Sequence, residues 1–192
     1  MMAMVGGKPL VWHVLTRAKR LSVDGVVLAT TTRTIDDPLC GVADALGVPV
    51  YRGSEDDVLG RIIGACDDHQ CRRRDDIVVR VCGDSPLWDV GMCNRIITRW
   101  RLGGYGSDVV CLADDNGRLG MSQGVDFVRR GALDMTPRSD PQSREHVCSW
   151  AREQGIRWYY YPEADEWTTE RLSIDTPEDL ERLRARIEEE AR

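Results

Sequence analysis

The sequence has few of the residues that would make it a zinc protein or a nucleic-acid binder. Its three histidines, His13, His69 and His146, stand far apart. None of its seven cysteines (40, 66, 71, 82, 93, 111 and 148) forms the two-residue spacing of a zinc knuckle or a redox pair. Reduced thiols packed as small hydrophobes are expected, as for Cys82 and Cys111 inside apolar strand-like runs. Basic residues number 26 against 32 acidic ones, only two of the 26 being lysine. The net charge of −6 leaves no broad cationic field to collect phosphates, which excludes nonspecific nucleic-acid binding. Arg72, Arg73 and Arg74 stand among Asp67, Asp68, Asp75 and Asp76 and read as a solvated loop at a helix end. No apolar run approaches the roughly 18 residues of a membrane span. The first eight residues lack the basic flank and long apolar stretch of a secretory signal, so a cytoplasmic protein with no membrane partner is expected.

What is present is an ordinary globular balance, 42% hydrophobic and 30% charged over 192 residues, which suits one domain spanning 1–192. Pro9 to Arg20 places Leu10, Val11, Val14, Leu15 and Ala18 on one helical face. Continuous apolar runs at Gly25–Thr30, Val48–Tyr51, Ile77–Val81 and Asp108–Leu112 read as strands covered on both faces. Helices alternate with them at Asp36–Gly47, Asp56–Gln70 and Asp89–Leu102. This alternation predicts an α/β fold with a largely parallel sheet and right-handed crossovers. Between Ala113 and Pro141 the pattern breaks around a short strand at Val125–Arg129, so that stretch is expected to leave the main sheet. A helix from Ser143, strands at Ile156–Tyr161 and Arg171–Ile174, and a helix from Pro177 complete the chain. Tyr159, Tyr160, Tyr161 and Trp167 suit strand packing, with stacking on a base or sugar as the alternative.

Open α/β sheets bind ligands where strand C-termini, loops and helix N-termini gather. Asp84 follows Gly83 at the end of the Ile77–Val81 strand. It either holds a hard divalent cation or caps a turn before Pro86. Thr176, Pro177 and Asp179 make a helix start by themselves, but Asp175 precedes that cap, where it is expected to meet Asp84 across a cleft. Two carboxylates completed by water and substrate phosphates make a magnesium environment.

The order of short motifs resembles the cytidylyltransferases of the spore-coat polysaccharide type, relatives of the acylneuraminate and deoxy-octulosonate cytidylyltransferases. Its carriers are Gly7-Lys-Pro-Leu10, Val27-Leu-Ala-Thr-Thr31, Gly47 through Leu59, Arg80-Val-Cys-Gly-Asp-Ser-Pro-Leu87, Ser143-Arg-Glu-His-Val147 and Ile174-Asp-Thr-Pro-Glu-Asp-Leu180. The resemblance implies a Rossmann-like three-layer nucleotidyltransferase fold. It also implies transfer of CMP from CTP to an acidic sugar or related acceptor, with Mg2+ and release of pyrophosphate. Asp84 and Asp175 would be the metal-binding catalytic aspartates, and Ala29, Thr30, Arg52, Ser54 and Gly83 would lie along the nucleotide. Arg144, Glu145 and Asp126 would face the acceptor. His146 is either a further catalytic group that deprotonates or orients the acceptor, or a solvated histidine in a helix's first turn. Relatives of this kind commonly form homodimers.

Members of that family normally begin with a buried strand and a loop of glycine or serine, arginine and lysine that binds the triphosphate. Met1–Val5 corresponds at best to the trailing end of that loop, so the first strand is expected to be lacking and CTP turnover weak. An upstream start, Met1–Val5 itself or a partner chain would fill the gap. Catalytic, binding-only and other-nucleotide versions of the fold all remain open at this level.

Overall fold

The computed structural model describes residues 1–103, 107–112, 119–120, 123–155, 157–160 and 167–190, with the side chains of 111–112, 119–120, 157–160 and 167 left aside. The chain opens on a ribbon of β1 (Met4–Val5) antiparallel to β2 (Lys8–Pro9). Gly6 and Gly7 turn it with φ of +55° and +76°, values that a two-residue hairpin favours and side chains resist. Pro9 is the N-cap of α1 (Leu10–Ala18), one residue outside the expected first turn. The Leu10 and Val11 amides, which have no partner inside the helix, donate to the carbonyls of Ala3 and Met1 at 2.9 and 3.1 Å. α1 buries the face its periodicity predicts, together with His13, whose Nε2 donates to the Val5 carbonyl at 3.0 Å.

β3 (Leu28–Thr31), a 3-10 turn at Thr34–Asp36, α2 (Asp37–Ala45) and β4 (Val50–Gly53) form a βαβ unit, with β3 and β4 parallel. α3 (Val58–Asp68), β5 (Ile77–Val81), α4 (Val90–Gly103) and β6 (Val109–Leu112) continue the alternation. Then come β7 (Leu119–Gly120), β8 (Val125–Arg129), α5 (Arg130–Met135), α6 (Pro141–Glu145) and α7 (Ser149–Gln154). β9 (Arg157–Tyr160), β10 (Trp167–Thr168) and α8 (Pro177–Glu190) end it. A reciprocal cap starts α8: the Asp179 amide donates to Thr176 Oγ1 and the Thr176 amide to Asp179 Oδ2.

The larger sheet runs in the order β5-β8-β6-β9, and its layers are those of a sandwich. Adjacent residues on one strand enter opposite cores. Val110 and Phe127 join Trp88, Met92, Ile96 and Trp100 around α4, while Val109 and Val128 join Leu59, Ile63, Leu133 and Ala151 around α3, α5 and α7. Among the described residues, no helix is long and apolar enough to cross a membrane.

Several expectations are corrected. The sheet is mixed, because β8 stays in it, antiparallel to both β5 and β6, instead of leaving it. The 113–124 connection is short for a helical crossover and already holds β7, so the chain returns by the antiparallel route. Val125, Phe127 and Val128 are buried there, which keeps the strand inside. Arg171–Ile174 pairs with no strand among the described residues. Its amides use other partners, Leu172 donating to Gln123 Oε1 at 3.0 Å and Ile174 to the Asp84 carbonyl at 2.8 Å. The helix expected from Ser143 is two short helices, α6 and α7, joined through His146–Cys148. Met1–Val5 does not extend the sheet, since β1 folds back onto β2. Among the described residues β3 pairs only with β4, and β5 only with β8, so the parallel pair and the larger sheet stand as separate pieces. The outer ends of the predicted 156–161 strand, with Tyr161, and most of Ala113–Gly124 lie outside the described residues.

Candidate active site

Three loops carry the residues singled out in the sequence. The first follows β5. Cys82 donates its amide to the Gly124 carbonyl at 2.7 Å, and Ser85 Oγ donates to Asp84 Oδ1 at 2.9 Å. Gly124 has φ +76°, and a Cβ there would lie 2.2 Å from Ser85 Oγ, so a bare backbone is required for this close approach. The Ile174 amide then donates to the Asp84 carbonyl. Asp175 does not end a strand, and it is the main chain before it that is tied to the loop. Its carboxylate accepts from Arg171 and, at 3.4 Å, from Ser173. The Met1 side chain lies over Gly83, with its Cε 2.8 Å from where a Cβ would stand.

The second group lies at the ends of β3 and β4. Ala29 pairs with Tyr51 and Thr30 with Arg52 in the parallel register. The hydroxyls of Thr30 and Thr31 both donate to Asp36 Oδ2, and the Thr31 bond first holds the Asp36 carboxyl below its ordinary pKa. Arg52 is committed to the protein: Nε donates to the Thr31 carbonyl and Nη2 to the Arg33 carbonyl, both at 2.8 Å, and Nη1 pairs with Asp37 at 2.7 Å. Ser54 Oγ accepts the Asp57 amide at 3.3 Å, and Asp57 caps α3 by accepting from the Gly60 amide at 2.9 Å. Asp57 therefore has a structural role at the helix's positive end.

The third group is on the acceptor side of the resemblance. Arg144 Nε lies 3.6 Å from Asp57 Oδ1, which ties α6 to the cap of α3. Glu145 and His146 are exposed, and His146 is the C-cap of α6 rather than part of a first turn. Asp126 on β8 stands directly across from Arg80 on β5. Arg80 Nη1 donates to its Oδ2 at 2.7 Å, and Arg152 from α7 pairs with Oδ1. With side-chain exposures of 23% for Arg80 and 12% for Asp126, this is a half-buried charge relay between two strands and a helix. Cys148, buried beside it, has its thiol pushed up by loss of water.

Sequence reading passed over Arg80 as a partner of Asp126, and it missed Arg61 on α3. Arg61 Nη1 donates to the Ser54 and Glu55 carbonyls, while its Nε is buried without a partner. An arginine inside the otherwise apolar run Ile77–Val81 was the available signal for the first. The second had none, because Arg61 looks like any polar position on an amphipathic helix.

Among the described residues, no group of three or more histidine, cysteine, aspartate or glutamate side chains is arranged to hold a metal. Asp84 and Asp175 supply hard carboxylate oxygens on two segments tied by the Ile174–Asp84 backbone bond. This donor set fits Mg2+, which keeps several waters and phosphate oxygens and needs few protein ligands.

A family model described as cytidylyltransferase matches residues 1–191. Spore coat polysaccharide biosynthesis protein SpsF of Bacillus subtilis is 28% identical over 173 residues, covering 84% of this chain and 66% of its own length. A 3-deoxy-manno-octulosonate cytidylyltransferase of Aeromonas salmonicida is 36% identical over 88 residues, 45% of this chain and 34% of that protein. The chain thus spans less than two thirds of these curated relatives. A solved cytidylyltransferase from Leptospira borgpetersenii superimposes with a TM-score of 0.82 at 26% identity, over 96% of this chain and 77% of that one.

Proposed function

The chain belongs to the cytidylyltransferase family, and from that premise we propose that it transfers CMP from CTP to an acidic sugar or related acceptor in polysaccharide or other glycan assembly. The acceptor hydroxyl forms a bond to the α-phosphorus, the bond to the β-phosphate breaks, and pyrophosphate leaves with its electrons. In-line displacement of this kind needs positioning and charge neutralisation rather than a covalent nucleophile.

The observation that supports the proposal is the Ile174 amide bonded to the Asp84 carbonyl, a backbone link between the segment leading to Asp175 and the loop after β5. In this reading Asp84 and Asp175 hold Mg2+, which supplies positive charge against the phosphates when bound. Ala29 and Thr30 flank the nucleotide. Arg52 shapes that side by fixing the loop after β3, and Ser54 and Gly83 lie along the nucleotide on the loops after β4 and β5. Arg144, Glu145 and His146 face the acceptor, with His146 accepting or orienting its proton. Asp126 acts through Arg80 and Arg152.

A second reading, a homologue that binds nucleotide without turnover, draws on Met1, whose side chain lies over Gly83 at the end of β5. Pyrophosphate release measured over a panel of nucleoside triphosphates with Mg2+ and acidic sugars separates the two. The proposal expects release with CTP above the other nucleotides, and a fall of roughly 10²-fold or more in Asp84→Asn with the far-UV spectrum unchanged. Saturable nucleotide binding without release supports the second reading. Unchanged release in Asp84→Asn overturns the role of that residue.

A further inference from the structure

The end of α3 places two cysteines together in a way their spacing does not suggest. Gln70 has φ +64°, a left-handed conformation that closes the helix, and the Cys71 amide turns back to donate to the Cys66 carbonyl at 2.9 Å. This six-to-one bond across a left-handed residue is a Schellman closure, in which the residue after the left-handed one packs its side chain against the last helical turn. Both side chains of that contact are thiols here. The thiols of Cys66 and Cys71 act on each other electrostatically, and neither cysteine is fully buried.

We propose that Cys66 and Cys71 form a reversible thiol–disulfide site, oxidised by hydroperoxides and restored by thiol reductants. The backbone bond holds the two residues near the Cα separation a disulfide needs, about 4.4–6.8 Å, so the bridge requires little movement. The surroundings also divide the labour between the sulfurs. The interaction between the two pulls the Cys71 pKa down and pushes that of Cys66 up, and the Arg130 guanidinium favours the thiolate. Cys71 is thus the attacking sulfur and Cys66 the resolving one. The Cys71 thiolate attacks a peroxide oxygen, the O–O bond breaks, and a sulfenic acid forms with loss of hydroxide or alkoxide. Cys66 then gives up its proton, its sulfur bonds to Cys71, and the sulfenic oxygen leaves as water. One peroxide is reduced for each disulfide made.

Trypsin cuts after Arg61 and Arg72, so one peptide, Ile62–Arg72, carries both cysteines. The folded protein is treated with stoichiometric hydrogen peroxide, alkylated, digested and weighed. The expected result is loss of two hydrogens in that peptide before oxidation at Cys40 or Cys82, with full recovery after dithiothreitol. Cys66→Ser should instead accumulate sulfenic acid at Cys71, trapped by dimedone. Cys71→Ser should leave Cys66 unreacted under the same dose. Persistence of two alkylated thiols in Ile62–Arg72 while other cysteines oxidise would overturn the proposal. So would equal peroxide reactivity of Cys66 in the presence and absence of Cys71.

Discussion

Asp84 and Ile174 are 90 residues apart, and the amide of one meets the carbonyl of the other at 2.8 Å. Among the described residues that bond replaces strand pairing at Arg171–Ile174, and it ties the segment leading to Asp175 to the loop after β5. The segment is held at a second point by Gln123, whose Oε1 accepts from the buried Leu172 and whose Nε2 donates to the Glu170 carbonyl at 2.9 Å.

Gln123→Ala removes both ends of that clamp and leaves a Leu172 amide buried without a partner. The expected loss is about 1–3 kcal/mol in urea unfolding. Mg2+-dependent pyrophosphate release should fall further than stability alone explains, since the segment leading to Asp175 loses one of its anchors. Wild-type stability in this variant would show that the clamp is incidental.

Gly124→Ala tests the close approach of β8 to the loop after β5. A side chain at φ +76° costs about 1–2 kcal/mol, and the new Cβ must displace the Ser85 hydroxyl from Asp84. Thermal unfolding should drop while Gly41→Ala, in open space on α2, has no comparable effect. Equal melting temperatures for the two variants would contradict this account.

At Asp126 the expected outcome depends on what is left behind. Asp126→Ala strands the mostly buried Arg80 charge and should cost about 1.5–3 kcal/mol. Adding Arg80→Met should return much of that stability, because an apolar pair leaves no uncompensated charge. A double variant no more stable than the single one would mean that the arginine is already satisfied elsewhere.

The Asp36 carboxyl, lowered first by its bond from Thr31, makes a pH-dependent contribution of predictable sign. Its folded pKa lies below the unfolded value of about 3.9, so its stabilisation is complete above that value and lost as pH falls through it toward the folded pKa. Wild type should exceed Asp36→Asn in urea midpoint at about pH 6, and the gap should narrow as the pH is taken below about 3.9. A gap that stays constant over that range would assign the effect to shape rather than charge.

The sequence by itself determined the elements whose signals are local. β5 occupies Ile77–Val81 as its apolar run predicts, and α8 begins at Pro177 behind its own cap. α1 buries the face that its 3.6-residue period marks, and Arg72–Arg74 are exposed. The order of motifs also marked the family, because short motifs survive where pairings cannot be read. Tertiary structure alone decided what depends on partners far along the chain. β8 became a central antiparallel strand because β5 and β6 offered edges on both of its sides. Among the described residues Arg171–Ile174 pairs with no strand because a side-chain amide and a loop carbonyl took its hydrogen bonds. Asp126 found Arg80 across 46 residues and Arg152 across 26. Helix periodicity and caps are written within a few residues, whereas strand order and ion-pair choice are settled by which surfaces remain unpaired once those helices have packed.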